Sequence, residues 1–131
     1  MESIIEVLKT SDDLVAGNGA NEKQIDEASK TLGLVFAKDY LAYLQKFGLA
    51  YVNGHELTGI GIVPHNDVVS VTLEKRKLSH VEIIPKDWYV IEDTNIDGII
   101  IWQSSKGLIY MESPRTIKQI CESMAEYILK W

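Results

Sequence analysis

The sequence has little cysteine and no long hydrophobic run, and each absence excludes a class of protein. Of its 131 residues only Cys121 carries a thiol, which rules out a disulfide within the chain and suits a reducing compartment. No stretch is long and apolar enough to span a bilayer. The first ten residues hold two acids and no cationic n-region, so no secretory signal is expected. We therefore expect a cytoplasmic protein.

Positive charge is also in short supply. Thirteen lysines and arginines stand against 19 acids, which gives a net charge of -6 and an isoelectric point near 5.0. This balance argues against nucleic acid and anionic membranes as direct partners, because both attract basic surfaces. It permits a basic protein partner, but an acidic composition also serves solubility alone.

Residues that bind metals are few and scattered. His55, His65 and His80 fall in different predicted elements, whereas a zinc site needs three or four converging ligands. Cys121 offers the only sulfur ligand of the cysteine type, and its spacing places it in the predicted core, where a thiol behaves as a small hydrophobe. We expect no metal site.

Recognised catalytic motifs are missing as well. Gly59 and Gly61 are not followed by the Gly-Lys-Ser/Thr ending of a phosphate-binding loop. Ser104 to Lys106 reads as a polar hairpin turn rather than the strand–turn–helix setting of a nucleophile elbow. With neither a triad nor a cofactor motif, we expect a protein that is not an enzyme and takes no cofactor.

The clearest local signal runs from Asn21 to Gly48. Asn21 is a good N-cap and Gln24 completes a capping box, while Gly33 suits the left-handed position that ends a helix. A second apolar stripe at helical spacing ends at Gly48. The pattern predicts two short helices that need an apolar surface to pack on. Acids and lysines balance across them, which argues against a DNA-binding helix-turn-helix.

The remaining elements follow from local patterns. A short helix is predicted over Glu2 to Thr10, followed by a mobile loop up to Asn21, and a helix capped by Asn66 or Asp67 is predicted through Lys77. Asn53-Gly54 predicts a hairpin, because both residues of a type I′ turn need positive φ. Strands are predicted over Trp88–Glu92, Ile99–Trp102 and Leu108–Met111. A closing helix is predicted from Ser113-Pro114 to Trp131, on an apolar stripe of Ile117, Ile120, Cys121, Met124 and Ile128.

These elements predict an α+β fold in which helices pack on a mostly antiparallel sheet, with residues 1–131 as a single domain. The segment NEKQIDEASKTLGLVFAKDYLAYLQKFG resembles the opening of the SUKH superfamily, which includes fungal cell-wall-assembly regulators and many bacterial immunity proteins. Such sequences often have proline before the Asp-Tyr helix, where this chain has Ala37. The order of the later strands and the closing helix is also similar to the superfamily.

The resemblance implies a non-catalytic binding protein. Often such a protein is the immunity partner of a toxin, and many of these toxins are nucleases. An acidic surface would then mimic phosphate and cover a basic active-site cleft. The alternative is an intracellular scaffold or regulator of the cell-wall-regulator type. That branch usually carries low-complexity segments, which this chain lacks.

One segment has a marked charge asymmetry. Between residues 82 and 97 five acids stand against Lys86 alone, beside the aromatic Trp88 and Tyr89. Aromatic anchors ringed by one charge suit a protein interface. Alternatively, the two aromatics are partly core and the acids form a solvated rim. The residues predicted to contact a cognate toxin are Glu56, Asp67, Trp88, Tyr89, Glu92, Asp93 and Asp97.

Overall fold

The computed structural model describes residues 3–61, 63–79 and 84–131. Within them lie five α-helices, a 3₁₀ turn at Pro64–Asn66 and seven strands. The helices are α1 Ile4–Lys9, α2 Glu22–Leu32, α3 Lys38–Lys46, α4 Val68–Leu78 and α5 Met124–Lys130. The strands are β1 Val15–Ala16, β2 Ala50–Val52, β3 His55–Glu56, β4 Trp88–Asp93, β5 Ile100–Ser104, β6 Ile109–Glu112 and β7 Ile117–Cys121.

The described strands form two antiparallel sheets. Strands β1, β2 and β3 make a small sheet, and β4 to β7 make a four-stranded meander in chain order. The predicted α+β fold with mostly antiparallel strands is confirmed. Thr58, just after β3, joins the sheets: its amide donates to Ile91 O at 2.9 Å and its hydroxyl to Val90 O at 2.7 Å.

The four-stranded sheet buries apolar side chains on both faces. One face, which includes Tyr89, Ile91 and Ile101, packs into the main core with the helices α1, α2, α3 and α5. The opposite face carries Val90 and Trp102, which form a second cluster with Val71 of α4 and three other buried residues. Strand β5 is buried along its whole length, as its continuous apolar run predicts for a central strand.

The predicted helix signals between Asn21 and Gly48 are confirmed. The Asn21 side chain accepts from Gln24 N, the Gln24 side chain accepts from Asn21 N, and Gly33 is left-handed with φ of 70°. At Ala37 the backbone N–H donates to the Tyr89 hydroxyl at 3.0 Å. A proline there would lack this donor, so α3 is tied to β4 by a bond that the usual proline would not allow. No helix within the described residues has the length and apolar character needed to cross a membrane.

The predicted hairpin at Asn53-Gly54 is also confirmed. Asn53 and Gly54 both have positive φ, 49° and 79°, as a type I′ turn requires. Asp13 accepts the Asn53 N–H at 3.0 Å. The stretch predicted as a mobile loop is therefore held to the hairpin, and its residues Val15–Ala16 pair with β2.

The C-terminal region differs from its prediction. Residues Ile117–Cys121 form strand β7, paired with β6, and only Met124–Lys130 are helical. Ser123 caps the start of this helix, and its side chain accepts from Glu126 N. Ser113 instead forms a turn, in which its N–H donates to Thr116 O at 2.8 Å. The prediction of a closing helix from Ser113 was wrong, because pairing with a neighbouring strand outweighs an apolar spacing that also fits a helix.

Candidate functional site

The structure separates the seven predicted contact residues into different settings. Glu56 and Asp97 are exposed, whereas Asp67 and Asp93 are half-buried. Trp88, Tyr89 and Glu92 are buried, with exposed fractions of 8%, 0% and 5%. The exposure on which the last three were chosen was therefore wrong.

The two aromatic side chains are parts of the core. Trp88 stacks on Tyr110 with ring centroids 4.0 Å apart. Tyr89 donates its hydroxyl to Gln103 Oε1 at 2.7 Å, and burial raises its pKa. The alternative that Trp88 and Tyr89 belong to the core is the one that the structure supports.

The half-buried aspartates have local partners. Asp67 caps α4, with its carboxylate accepting from the Ser70 amide at 3.1 Å. Asp93 Oδ2 lies 3.2 Å from Lys75 Nζ. Although burial opposes it, hydrogen bonding to Glu74 and Asp93 raises the pKa of Lys75.

A β-bulge decides where Glu92 points. Val90 pairs with Trp102 and Glu92 pairs with Ile101, so Ile91 is the extra residue on β4. Strict alternation would place Glu92 on the same face as Trp88 and Val90. The bulge turns the side chain to the opposite face, where it meets β3 and α5. Glu92 and Asp93 therefore serve different sites.

The buried Glu92 carboxylate lies among three donors from distant parts of the chain. Its Oε1 accepts the Tyr127 hydroxyl at 2.5 Å and lies 2.7 Å from His55 Nδ1. Its Oε2 accepts the Glu56 amide at 3.0 Å. Burial and the neighbouring carboxylate raise the pKa of Tyr127 far above its ordinary value, so the phenol stays protonated and acts as a donor.

The second ring nitrogen of His55, Nε2, differs from the other polar atoms of this network because it has no hydrogen-bond partner among the described residues. The side chain is 9% exposed, and its Nε2 atom is buried. Nδ1 lies 2.7 Å from the Glu92 carboxylate, so it is the ring nitrogen that donates in this pair.

A cavity of about 340 Å³ adjoins this network. Two of its lining residues, Ile96 and Trp131, are 64% and 54% exposed, so the cavity opens to solvent on their side. Its described walls combine the buried polar network with apolar side chains. The lining residues are Asn53, Gly54, His55, Glu92, Thr94, Ile96, Ile99, Ile101, Met111, Tyr127 and Trp131.

Three exposed acids are close to this cavity in the structure or in the chain. Asp13 and Glu56 line a smaller hollow that shares Gly54 and His55 with the cavity, and Glu56 Oε1 lies 3.3 Å from His65 Nε2. Asp97 directly follows the lining residue Ile96 in the chain. We call the cavity, its exposed residues Ile96 and Trp131, and these three acids the hairpin face.

A larger hollow of about 440 Å³ lies elsewhere and is a weaker candidate. Its carboxylates are already bonded: Asp93 pairs with Lys75, while Glu112 accepts from Trp102 Nε1 at 2.9 Å and Ser79 Oγ at 2.8 Å. His80, which was considered as a metal ligand, and Glu82, which was counted among the acids of residues 82–97, lie outside the described part of the chain.

Metal-binding geometry does not arise in the described ranges. No three His, Cys, Asp or Glu side chains converge there in a way that could hold an ion. Cys121 is buried on β7 rather than on a helix, and burial raises the pKa of its thiol to about 11. At neutral pH this thiol is not an active nucleophile.

Sequence reasoning missed the cavity, since His55, Glu92 and Tyr127 are far apart in the chain. Two local signals were nevertheless present. His55 directly follows the Asn-Gly turn, and Glu92 directly follows four apolar or aromatic residues of its strand. An acid in such a strand suggests a buried carboxylate with donors around it.

The fold is α+β, and the cavity is lined by residues of both sheets. A family model named SUKH_5 and described as SMI1-KNR4 cell-wall matches residues 1–131. The chain therefore belongs to the SUKH family, in agreement with the predicted resemblance. No curated protein matches the chain.

Proposed function

We propose that this chain is an immunity protein that binds a cognate polymorphic toxin and neutralises it. The toxin is a nuclease with a basic active-site cleft, and the hairpin face covers that cleft. Inhibition is steric and electrostatic, with no catalysis and no cofactor, in a cytoplasmic protein whose residues 1–131 form one domain. Membership of the SUKH family supports this proposal, because immunity proteins are widespread in that superfamily.

The observation that carries the proposal is the composition of the hairpin face. It offers exposed apolar anchors, Ile96 and Trp131, beside a concave site. Around them stand the acids Asp13, Glu56 and Asp97. Protein interfaces combine apolar or aromatic anchors with a polar rim, and a rim of one sign speeds the approach of an oppositely charged partner.

Of the predicted contact residues, Glu56 and Asp97 are proposed to touch the toxin directly. Both are exposed acids of the hairpin face. Glu92 is proposed to act through the cavity, because its carboxylate is one of the lining groups. The buried Trp88 and Tyr89 are proposed to support the surface from the core.

The test is a pull-down of this chain with the C-terminal domain of a toxin-like protein encoded beside it, together with a toxicity assay. Tight binding with rescue of growth is expected. The variant Ile96→Lys should lose both, whereas Val35→Lys, at a site 72% exposed and outside the cavity lining, should keep both. Absence of binding and of rescue by the unchanged chain would overturn the proposal.

The second candidate is a scaffold or regulator of the cell-wall type. The description of the matching family model, SMI1-KNR4 cell-wall, favours it. Under this alternative the hairpin face binds a cell-wall synthesis or signalling protein. Deletion of the gene would then alter cell-wall integrity in the absence of any toxin, which the immunity proposal does not predict.

A further inference from the structure

The cavity of the hairpin face has an incompletely used hydrogen-bond acceptor in its wall. Glu92 Oε2 accepts only the Glu56 amide in the described contacts, although a carboxylate oxygen can accept two hydrogen bonds. Beside it, His55 Nε2 is buried and finds no partner among the described residues. The Glu92 carboxylate can therefore accept a further donor from the cavity.

Glu92 is the only carboxylate among the described residues that line the cavity, and no lysine or arginine is among them. A buried carboxylate attracts a cation more strongly than an exposed one does, because solvent screens it less.

The remaining walls suit a long side chain with a flat cationic end. Ile99, Ile101 and Met111 offer apolar surface on which a methylene stem can pack. The exposed indole of Trp131 and the ring of Tyr127 offer aromatic faces for a cation. A planar guanidinium is more weakly hydrated than an ammonium and presents several donors in a fixed arrangement, so arginine fits these walls better than lysine.

We propose that the cavity binds the guanidinium group of an arginine side chain presented by a basic protein partner. The guanidinium donates to the Glu92 carboxylate, and its stem lies against the apolar wall beside Trp131. This inference rests on the proposed function and adds to it the identity of the anchoring side chain. The acidic margin steers the partner, and the cavity selects arginine.

The test uses N-acetyl-arginine methylamide as the probe and follows the Gly54 amide and the Trp131 indole N–H by NMR on the full chain. Both resonances should shift in a saturable way. The citrulline analogue has the same length but a neutral urea end, and it should bind at least about tenfold more weakly, because it lacks the charge-assisted hydrogen bonds. Equal shifts with both compounds, or no shift with either, would overturn the inference.

Matched variants locate the binding. Glu92→Gln should abolish the response, while Glu112→Gln, which alters a second buried carboxylate outside the cavity, should preserve it. If Glu92→Gln unfolds the chain, Trp131→Ala is tested in its place, with Leu129→Ala as the control at a similarly exposed site. Binding to these two variants is followed by the Gly54 amide resonance. Binding that survives in both Glu92→Gln and Trp131→Ala would place the probe elsewhere and refute the proposal.

The experiments distinguish failure of the proposed immunity function from failure of the proposed arginine site. A chain that binds the arginine probe but neutralises no toxin would lack the proposed function and keep the arginine site. A chain that neutralises a toxin but ignores the probe would keep the function and lose the arginine site.

Discussion

Glu92 is the residue on which the hairpin face depends. Its carboxylate joins β3, β4 and α5 through His55, Tyr127 and the Glu56 amide. Removing a donor from a buried carboxylate leaves a charge poorly compensated, which costs more than the average value of one hydrogen bond. The residue at the centre of the proposed arginine site thus also holds three elements of the fold together.

Loss of one donor to Glu92 should therefore destabilise the chain. We expect Tyr127→Phe to lower the free energy of unfolding by about 1–3 kcal/mol, measured by urea denaturation. The control is Tyr51→Phe, at a site that is 40% exposed, which should change stability by less than about 0.5 kcal/mol. Equal stability of the two variants would show that the Tyr127–Glu92 bond contributes little.

Alkaline pH should destabilise the folded chain, because several of its tyrosine phenols and its cysteine thiol are buried. Burial raises the pKa of Tyr43, Tyr89 and Tyr127 and that of Cys121 from 9.0 to about 11. The unfolded chain releases these protons at their ordinary pKa values of about 8.5–10, whereas the folded chain retains them. The unfolded state then binds fewer protons, so stability falls as pH rises above about 9.

The measurement for this prediction is the urea midpoint followed from about pH 8 to pH 11. The midpoint should decline over this range, and Tyr127→Phe, with one buried phenol fewer, should decline less steeply than the unchanged chain. A midpoint that stays constant up to about pH 11 would contradict the assigned pKa directions.

Features that depend on neighbouring residues in the chain could be predicted from the sequence. Features that depend on the pairing of distant strands could not. The Asn21–Gln24 capping box and the Asn53-Gly54 turn depend on neighbouring residues alone, so the pattern sufficed. Strand β7 depends on its pairing with β6. The bulge at Ile91 depends on the register between β4 and β5. The candidate site was therefore predicted at Glu56, Asp97 and Glu92, the last on an exposure that it does not have, while the cavity itself required tertiary contacts.

Because Ile120 lies on strand β7 and not on a helix, its truncation should cost less stability than truncation of a fully buried residue. Leu44 on α3 is fully buried, so Leu44→Ala should cost about 2–5 kcal/mol of stability. Ile120 on β7 is only half-buried, and Ile120→Ala should cost clearly less than Leu44→Ala. Thermal or urea unfolding of the two variants measures the difference. An equal loss would restore Ile120 to the core position that the helical spacing predicted.

On the scale of the whole molecule, charge and shape coincide at the hairpin face. The net charge is -6, and some of the acids have local partners, as Asp93 has in Lys75. The hairpin face combines exposed acids with a concave apolar site. Attraction of a basic partner should therefore depend on where the acids stand and not merely on their number.

The most direct measurement is the association rate of the toxin domain with two doubly charge-reversed variants at fixed, low salt. Glu56→Lys with Asp97→Lys alters the hairpin face. Asp26→Lys with Glu27→Lys makes the same change on exposed residues of α2. We predict a rate about tenfold lower for the first variant and a much smaller change for the second. Equal rates for the two variants would contradict the assignment of partner binding to the hairpin face.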